Sequence, residues 1–194
     1  MKSDMIKMAR KTACEMLSMR RFYHTECVAK EAKLLAECYG ENACMAETAG
    51  YLHDIAKEMA SDDLLQMAER SDIIDVDEIR NCAPVWHAYA GGVYAREILG
   101  GGDEIVSAIS SHTTGAADMS SLQKIIFLAD YISDDRDFDD IDEIRDLAYK
   151  SLDEAVISVI ERQLAHLINR RKYVDVNMIR AYNDLVLKGG NPTV

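Results

Sequence analysis

The sequence predicts an all-α fold, and three observations support this. Apolar residues recur at three- and four-residue spacing along nearly the whole chain, which is the period of an amphipathic helix. Alternating β-branched runs are absent, and prolines occur only at Pro84 and Pro192. Of the 194 residues, 48% are hydrophobic, which is enough to form the core of a single domain over residues 1–194.

The residues at helix ends justify each helix in chain order. The first helix carries a methionine stripe, the second ends at Gly40, and the third is the apolar run AGYLHDIAKEM. Ser61 is predicted to cap the fourth, glycines after residue 99 separate the fifth from the sixth, and Ser120 and Ser151 cap the seventh and ninth. The acidic run Ile132–Glu143 is predicted as a solvated loop that leads into the eighth. The predicted bounds are Asp4–Met19, His24–Tyr39, Ala43–Lys57, Asp62–Arg70, Pro84–Leu99, Asp103–His112, Ser121–Ile132, Ile141–Lys150, Leu152–Asn169 and Val176–Leu187.

Charge and composition exclude several classes of function. A formal net charge of -12 argues against a nucleic-acid-coating surface, because duplex binding relies on basic patches. A small anionic substrate is compatible with this charge if local cations in a cleft overcome it. No stretch approaches the length of a membrane span or has a signal-peptide core, so we expect a cytoplasmic protein without membrane contact. The five cysteines form no CxxC pair and predict neither a disulfide framework nor a zinc knuckle.

Ionisable residues stand within apolar helical runs, where burying charge is costly unless the groups pair or bind a metal. In AGYLHDIAKEM, His53 and Asp54 are roughly 100° apart around a helix, and Lys57 lies one turn further along. In KIIFLADYI, Asp130 stands among apolar neighbours. Imidazole and carboxylate ligands suit iron, manganese, zinc and similar divalent ions. The alternatives are a surface ion pair between Asp54 and Lys57 and histidines that are hydrogen-bonded within the core.

Six histidine and aspartate residues form a pattern in chain order. It resembles the H…HD…D signature of the HD-domain metal-dependent phosphohydrolases, and HDIAK matches the HDxxK form. Two further histidines between the HD pair and the last aspartate resemble those of the members that hold two metals. The six residues are His24, His53, Asp54, His87, His112 and Asp130.

Longer motifs are similar to one group in that superfamily. The matching segments are RFYHT, YLHDIAKEM, VWHAYAGGVYAREILG, AISSHTTG and MSSLQKIIFLADYISDDRDF, and the similarity covers about residues 21–187. The group is the YqeK-type symmetrical bis(5'-nucleosyl)-tetraphosphatases. Ala116 stands where a basic residue is expected, and Ser133 and Asp134 replace an expected Glu-Pro turn. The resemblance implies a compact HD-domain helical bundle with a dinuclear metal site in its core.

The resemblance also implies a ligand set and a reaction. His24, His53, Asp54 and Asp130 are expected to bind one metal, and the other two histidines the second, with Asp54 as the catalytic bridge. Iron is implied, with manganese or another divalent ion as the alternative. The implied reaction is symmetrical hydrolysis of diadenosine tetraphosphate to two ADP by metal-activated hydroxide. The implied partner is therefore a small nucleotide.

Four residues are expected to contact substrate phosphate. The resemblance places Lys57 at the reacting phosphate as a catalytic point charge. The Thr113-Thr114 turn offers hydroxyl and backbone donors, and a turn and cap role is its alternative. Arg136 is expected on a remaining phosphate, and its alternative is an ion pair with an aspartate of the acidic run.

Other functions are compatible with the same residues. An HD-type nucleotidase or cyclic-nucleotide phosphodiesterase would use the same metal-dependent phosphate hydrolysis on another substrate. A di-iron oxygenase would use the same scaffold to activate oxygen. A non-enzymatic helical adaptor uses the metal only for structure, and structural sites are closed whereas catalytic ones keep open positions. The apolar terminal helices leave a homodimer and a monomer both open.

Overall fold

The computed structural model describes residues 2–71, 80, 82–100 and 102–189 and gives the bounds of ten α-helices. The described part of the chain contains no strand, so the predicted all-α fold is confirmed. None of these helices is both long and apolar enough to cross a membrane. The helices are α1 (Lys2–Met16), α2 (Met19–Tyr39), α3 (Ala43–Leu52), α4 (Ser61–Ala68), α5 (Trp86–Leu99), α6 (Asp103–Ser111), α7 (Ser121–Ile132), α8 (Ile141–Ala148), α9 (Leu152–Asn169) and α10 (Val176–Lys188), and a 3-10 turn, Ala83–Val85, precedes α5.

The core lies around α3 and α7. α3 packs against α1, α2, α6 and α7, and α7 packs against α9 as well as α2 and α6. Leu52 on α3 and Ile125, Ile126 and Leu128 on α7 are fully buried. Because close-packed side chains resist displacement, polar groups at the ends of these helices have a well-defined position.

The predicted start of α2 at His24 is wrong, since the helix begins at Met19. Ser18 is its N-cap and accepts a hydrogen bond from the Arg21 N–H through its hydroxyl oxygen. The Ser18 N–H and hydroxyl in turn each donate to the Glu58 carboxylate over 2.6 Å. One turn of helix therefore precedes His24, and this turn carries two arginines.

The predicted end of α3 at Lys57 is also wrong, because the helix ends at Leu52. The chain continues from His53 as successive turns, in which the N–H groups of Ile55 and Lys57 donate to carbonyls three residues back, over 3.1 and 2.9 Å. These tighter turns change the direction in which Lys57 leaves the backbone.

Two of the three predicted serine caps are confirmed. α7 and α9 have their predicted bounds, and the Ser151 hydroxyl caps α9. Ser120 caps α7 in a capping box, in which its hydroxyl accepts from the Gln123 N–H and the Gln123 side chain accepts from the Ser120 N–H. Ser61 is the first residue of α4 rather than its cap, so that prediction was wrong; Ala60 holds the cap position.

A buried carboxyl on α2 gives a prediction about pH and stability. Burial raises the pKa of Glu31, and the hydrogen bond that Tyr149 donates to its Oε1 over 2.8 Å only partly opposes this. Between the ordinary pKa of a glutamate, 4.5, and the raised one, the folded chain binds more protons than the unfolded chain. The free energy of unfolding therefore falls as the pH rises through this window.

We expect Glu31→Gln to raise the melting temperature at pH 7, because the amide removes the buried charge. Thermal unfolding of both proteins at pH 4 and pH 7 measures this, and the difference should vanish at pH 4. Glu37→Gln, an exposed change on the same helix, should alter neither temperature. An equal effect of both substitutions at pH 7 would show that the Glu31 environment is not responsible.

Candidate metal centre

The six histidine and aspartate residues of the pattern come from five separate segments to one place in the core. His24 lies on α2, the HD pair follows the end of α3, and His87 lies in the first turn of α5. His112 follows the last residue of α6, and Asp130 lies near the end of α7. The six side chains are mostly shielded from solvent; the residues buried to 5% exposure or less are His24, His53, Asp54, His87 and His112.

Backbone carbonyls orient two of the histidine rings. His53 Nδ1 lies 2.7 Å from the Gly50 carbonyl oxygen, and His112 Nδ1 lies 2.7 Å from that of Ile109. A carbonyl oxygen only accepts, so each Nδ1 carries the proton and donates. Burial lowers the pKa of His53 to about 4, so this ring is neutral at pH 7. Its Nε2 lone pair is therefore available to a ligand.

The two oxygens of Asp54 face different partners. Oδ1 lies 3.3 Å from His87 Nε2 and 3.6 Å from His112 Nε2. Oδ2 lies 3.6 Å from His53 Nε2 and accepts a hydrogen bond from Arg21 Nη1 over 2.8 Å. The carboxylate thus lies within 3.6 Å of three histidine rings and of one guanidinium group.

Neighbouring groups keep the Asp54 carboxyl ionised. Burial alone raises its pKa, but the rings of His53 and His112 and the Lys57 ammonium outweigh burial and hold the pKa well below its usual range. Lys57 Nζ lies 3.6 Å from Asp54 Oδ1 and 2.9 Å from His87 Nε2. Because Asp54 is 2% exposed, this pair is not the surface ion pair that the sequence left open.

Asp130 and His24 form the other side of the cluster. His24 Nε2 lies 3.0 Å from Asp130 Oδ1, and His24 Nδ1 lies 2.8 Å from Asp135 Oδ2. Arg136 donates to the Asp130 carboxylate over 2.5 Å and to the Asp130 carbonyl oxygen over 2.9 Å. Its ion pair is thus with Asp130 and not with an aspartate of the acidic run, and it brings a cation to the centre.

The donor atoms fit a divalent metal. Two triplets, His24 with His53 and Asp130, and His53 with Asp54 and His112, each place one atom per residue within 4.8 Å of the others. His53 Nε2 and Asp54 Oδ1 are buried and lack a hydrogen-bond partner among the described residues. Such atoms are costly in a folded chain unless a ligand supplies the missing interaction. Imidazole nitrogen with carboxylate oxygen is a donor set suited to divalent ions.

A basic cleft next to His24 was not predicted from the sequence. It has a volume of about 340 Å³ and is lined by Arg20, Arg21, Tyr23, His24, Asp135 and Arg136. The two neighbouring arginines stand three and four residues before His24, on the same side of α2. Their positions were available in the sequence, but the late predicted start of α2 separated them from the histidine. The cleft supplies the local cations that an anionic substrate needs in this acidic protein.

The two threonines after His112 lie away from this cleft. The Thr114 hydroxyl is buried and donates to the Gly115 carbonyl oxygen over 2.9 Å, which is the turn role left open by the sequence. Thr113 lines a different cavity, together with Tyr131. Their contact with substrate phosphate stays a prediction.

Helices that bring histidine and aspartate side chains to one buried point define a helical domain with a candidate metal-binding centre. Residues 21–135 match the family model of the HD domain, so the chain belongs to the HD-domain family, as its motifs predict. It is 34% identical to the symmetrical bis(5'-nucleosyl)-tetraphosphatase of Halalkalibacterium halodurans over 173 residues. The match covers 89% of this chain and 92% of the relative. The Bacillus subtilis protein of the same name is 33% identical over the same shares of both chains.

A solved structure has the same fold. It is a Clostridium acetobutylicum protein described as a "predicted HD superfamily hydrolase involved in NAD metabolism". The TM-score is 0.88 at 29% identity, and the match covers 93% of this chain and 96% of that one. The helical architecture is therefore shared over almost the full length of both proteins.

Proposed function

We propose that this protein is a metal-dependent hydrolase that cleaves diadenosine tetraphosphate symmetrically to two ADP. One observation carries the proposal: the histidine and aspartate cluster around Asp54 adjoins a cleft lined by three arginines. The names of the relatives support the choice of substrate. A buried metal centre beside basic side chains suits hydrolysis of a small polyanion.

We infer that the cluster binds two divalent ions, with iron as the expected metal. His24, His53, Asp54 and Asp130 would hold one ion and His87 and His112 the other, with Asp54 as the bridging residue. Bound there, such ions lower the pKa of water and neutralise phosphoryl oxygens. The carbonyl contacts of His53 and His112 keep the rings in the orientation that ligation requires.

The cationic side chains are expected to bind the phosphates. Arg20 and Arg21 line the cleft from α2, and Arg136 lines it from the segment after α7. Planar guanidinium groups bind phosphate oxygens in pairs and orient the chain of the substrate. Lys57, which is 33% exposed at the edge of the cluster, is expected at the reacting phosphate.

Product identification is the direct test of this function. The metal-loaded protein is incubated with diadenosine tetraphosphate, and the nucleotides are separated by chromatography. ADP as the only product supports the proposal, whereas ATP with AMP would contradict it. Rapid hydrolysis of a mononucleotide or a cyclic nucleotide, with the dinucleotide left intact, would favour the nucleotidase or phosphodiesterase. If none of these nucleotides is hydrolysed, a non-enzymatic adaptor is favoured. If turnover requires oxygen, an oxygenase is favoured.

Lys57→Met gives a prediction that separates a phosphate contact from a metal ligand. Removal of the ammonium should lower kcat by about 10²–10³-fold, as for the loss of one group that stabilises developing charge. Bound metal, measured by elemental analysis, should stay at the wild-type level. Lys33→Met, an exposed change on α2, is the matched control and should keep full activity. Loss of metal in Lys57→Met would show instead that Lys57 maintains the ligand cluster.

A further inference from the structure

A second cavity, with a volume of about 410 Å³, lies beside the metal centre. Two of its lining residues directly follow expected metal ligands: Thr113 follows His112, and Tyr131 follows Asp130. Consecutive Cα atoms are about 3.8 Å apart, so the cavity and the ligand cluster share the ends of α6 and α7. The volume is in the usual range for small-molecule sites.

The end of α7 connects this cavity with the basic cleft. Asp130 accepts a hydrogen bond from Arg136 over 2.5 Å, and Arg136 lines the cleft. The next residue, Tyr131, lines the cavity together with Arg162. Both spaces therefore adjoin the carboxyl end of α7.

The lining suits a flat aromatic ligand with a polar edge. The Tyr131 ring packs edge-on against Phe138, with 5.0 Å between ring centroids. Leu167 and Met178 supply apolar contacts, and Arg162 supplies a guanidinium plane. Nucleobases bind proteins by stacking on aromatic rings and guanidinium planes, combined with hydrogen bonds to the base edge.

Two polar atoms of lining residues lack partners. Thr113 Oγ1 and Gln163 Oε1 are buried and make no hydrogen bond to the described residues. The glutamine oxygen only accepts, whereas the threonine hydroxyl both donates and accepts. Because unpaired buried polar atoms are unfavourable, a ligand with N–H donors and ring nitrogen acceptors would supply what these atoms lack. A purine edge carries both kinds of group.

We propose that this cavity binds one purine nucleoside of the substrate, with Gln163 and Thr113 as specificity-determining residues. This inference rests on the proposed function, since a dinucleoside tetraphosphate carries a nucleoside on each half. Two phosphates and a ribose separate each base from the bond that symmetrical hydrolysis breaks. The base must therefore bind beside the metal cluster, which is where this cavity lies. The two phosphates between the base and the cleaved bond then lie along the basic cleft.

Binding of adenosine, measured by NMR on the ¹⁵N-labelled protein, tests the inference without requiring turnover. Adenosine should shift the side-chain amide resonance of Gln163 and the backbone resonance of Thr113. Gln163→Leu should weaken the Kd for adenosine about tenfold, the usual effect of one well-formed hydrogen bond. Asn169→Leu, another replacement of an amide by leucine at an exposed position of α9, is the control and should leave the Kd unchanged. Circular dichroism confirms that both variants are folded.

Kinetics with diadenosine tetraphosphate supply the second readout. Gln163→Leu should raise KM about tenfold and leave kcat near the wild-type value, because the nucleoside contact is made equally in ground and transition states. An adenosine Kd that is equal in wild type and Gln163→Leu would overturn the inference even if the wild-type protein hydrolyses the dinucleotide. If the wild type binds adenosine as expected but hydrolyses no dinucleotide, the nucleoside site stands and the proposed function fails.

Discussion

Asp54→Asn is expected to lower the rate of diadenosine tetraphosphate hydrolysis by at least roughly a thousandfold, because metal ions supply several kcal/mol of transition-state stabilisation. The amide keeps the shape of the side chain but replaces one of the two oxygens between His53, His87 and His112 with a donor. It also removes the charge that attracts divalent ions. Steady-state kinetics and elemental analysis of the same preparation measure both effects, and bound metal should fall with activity.

A matched substitution controls for the loss of one negative charge. Asp137→Asn lies in the acidic run at an exposed position and should keep wild-type kcat and metal content. Circular dichroism should show the same helix content in both variants. Full activity in Asp54→Asn, with the fold intact, would refute the bridging role.

Gly50→Ala is expected to destabilise the protein by about 1–3 kcal/mol, since overpacking forces backbone shifts. A Cβ at this position would lie 2.5 Å from Ala29 Cα and 2.9 Å from Ala29 N, so the added methyl meets the backbone of α2. The two helices must then separate, which moves His53 relative to His24. We expect the melting temperature to fall by roughly 2–10 °C and metal affinity to decrease.

Gly91→Ala is the control for this prediction. Its added Cβ would lie 3.3 Å from the Ile109 Cγ2 methyl group and 3.5 Å from the His53 carbonyl oxygen, so a shift of a few tenths of an ångström relieves it. This variant should retain most of its stability and its metal. Equal destabilisation by the two substitutions would show that the contact between α2 and α3 is not specifically required.

The cluster of histidine and aspartate side chains could be predicted because its members differ chemically from their surroundings. His53, Asp54 and Asp130 stand out as ionisable residues within apolar helical runs, and the order of residue types matches a known pattern. Helix periodicity also predicted the bounds of α7 and α9. These features depend on neighbours within a few residues along the chain, where sequence patterns are informative.

The basic cleft could not be predicted in the same way. Arg21 reaches Asp54 across 33 positions, and Asp135 reaches His24 across 111. Nothing in the acidic run distinguishes Asp135 from the aspartates around it, so a solvated loop was the natural expectation. Only the packed structure shows that Asp135 contacts His24, whereas its neighbour Asp134 pairs with the exposed Lys30 on the same helix.

The sequence by itself determined the all-helical fold, the HD-domain family and the residue types of the metal centre, because helix period and motif order are local properties. Only the tertiary structure decided which Asp54 oxygen faces which histidine, that Arg21 pairs with Asp54, and that Asp135 pairs with His24. These outcomes depend on how helices distant in sequence pack. The packing of α2, α3, α6 and α7 sets those distances, and with them the chemistry available at the centre.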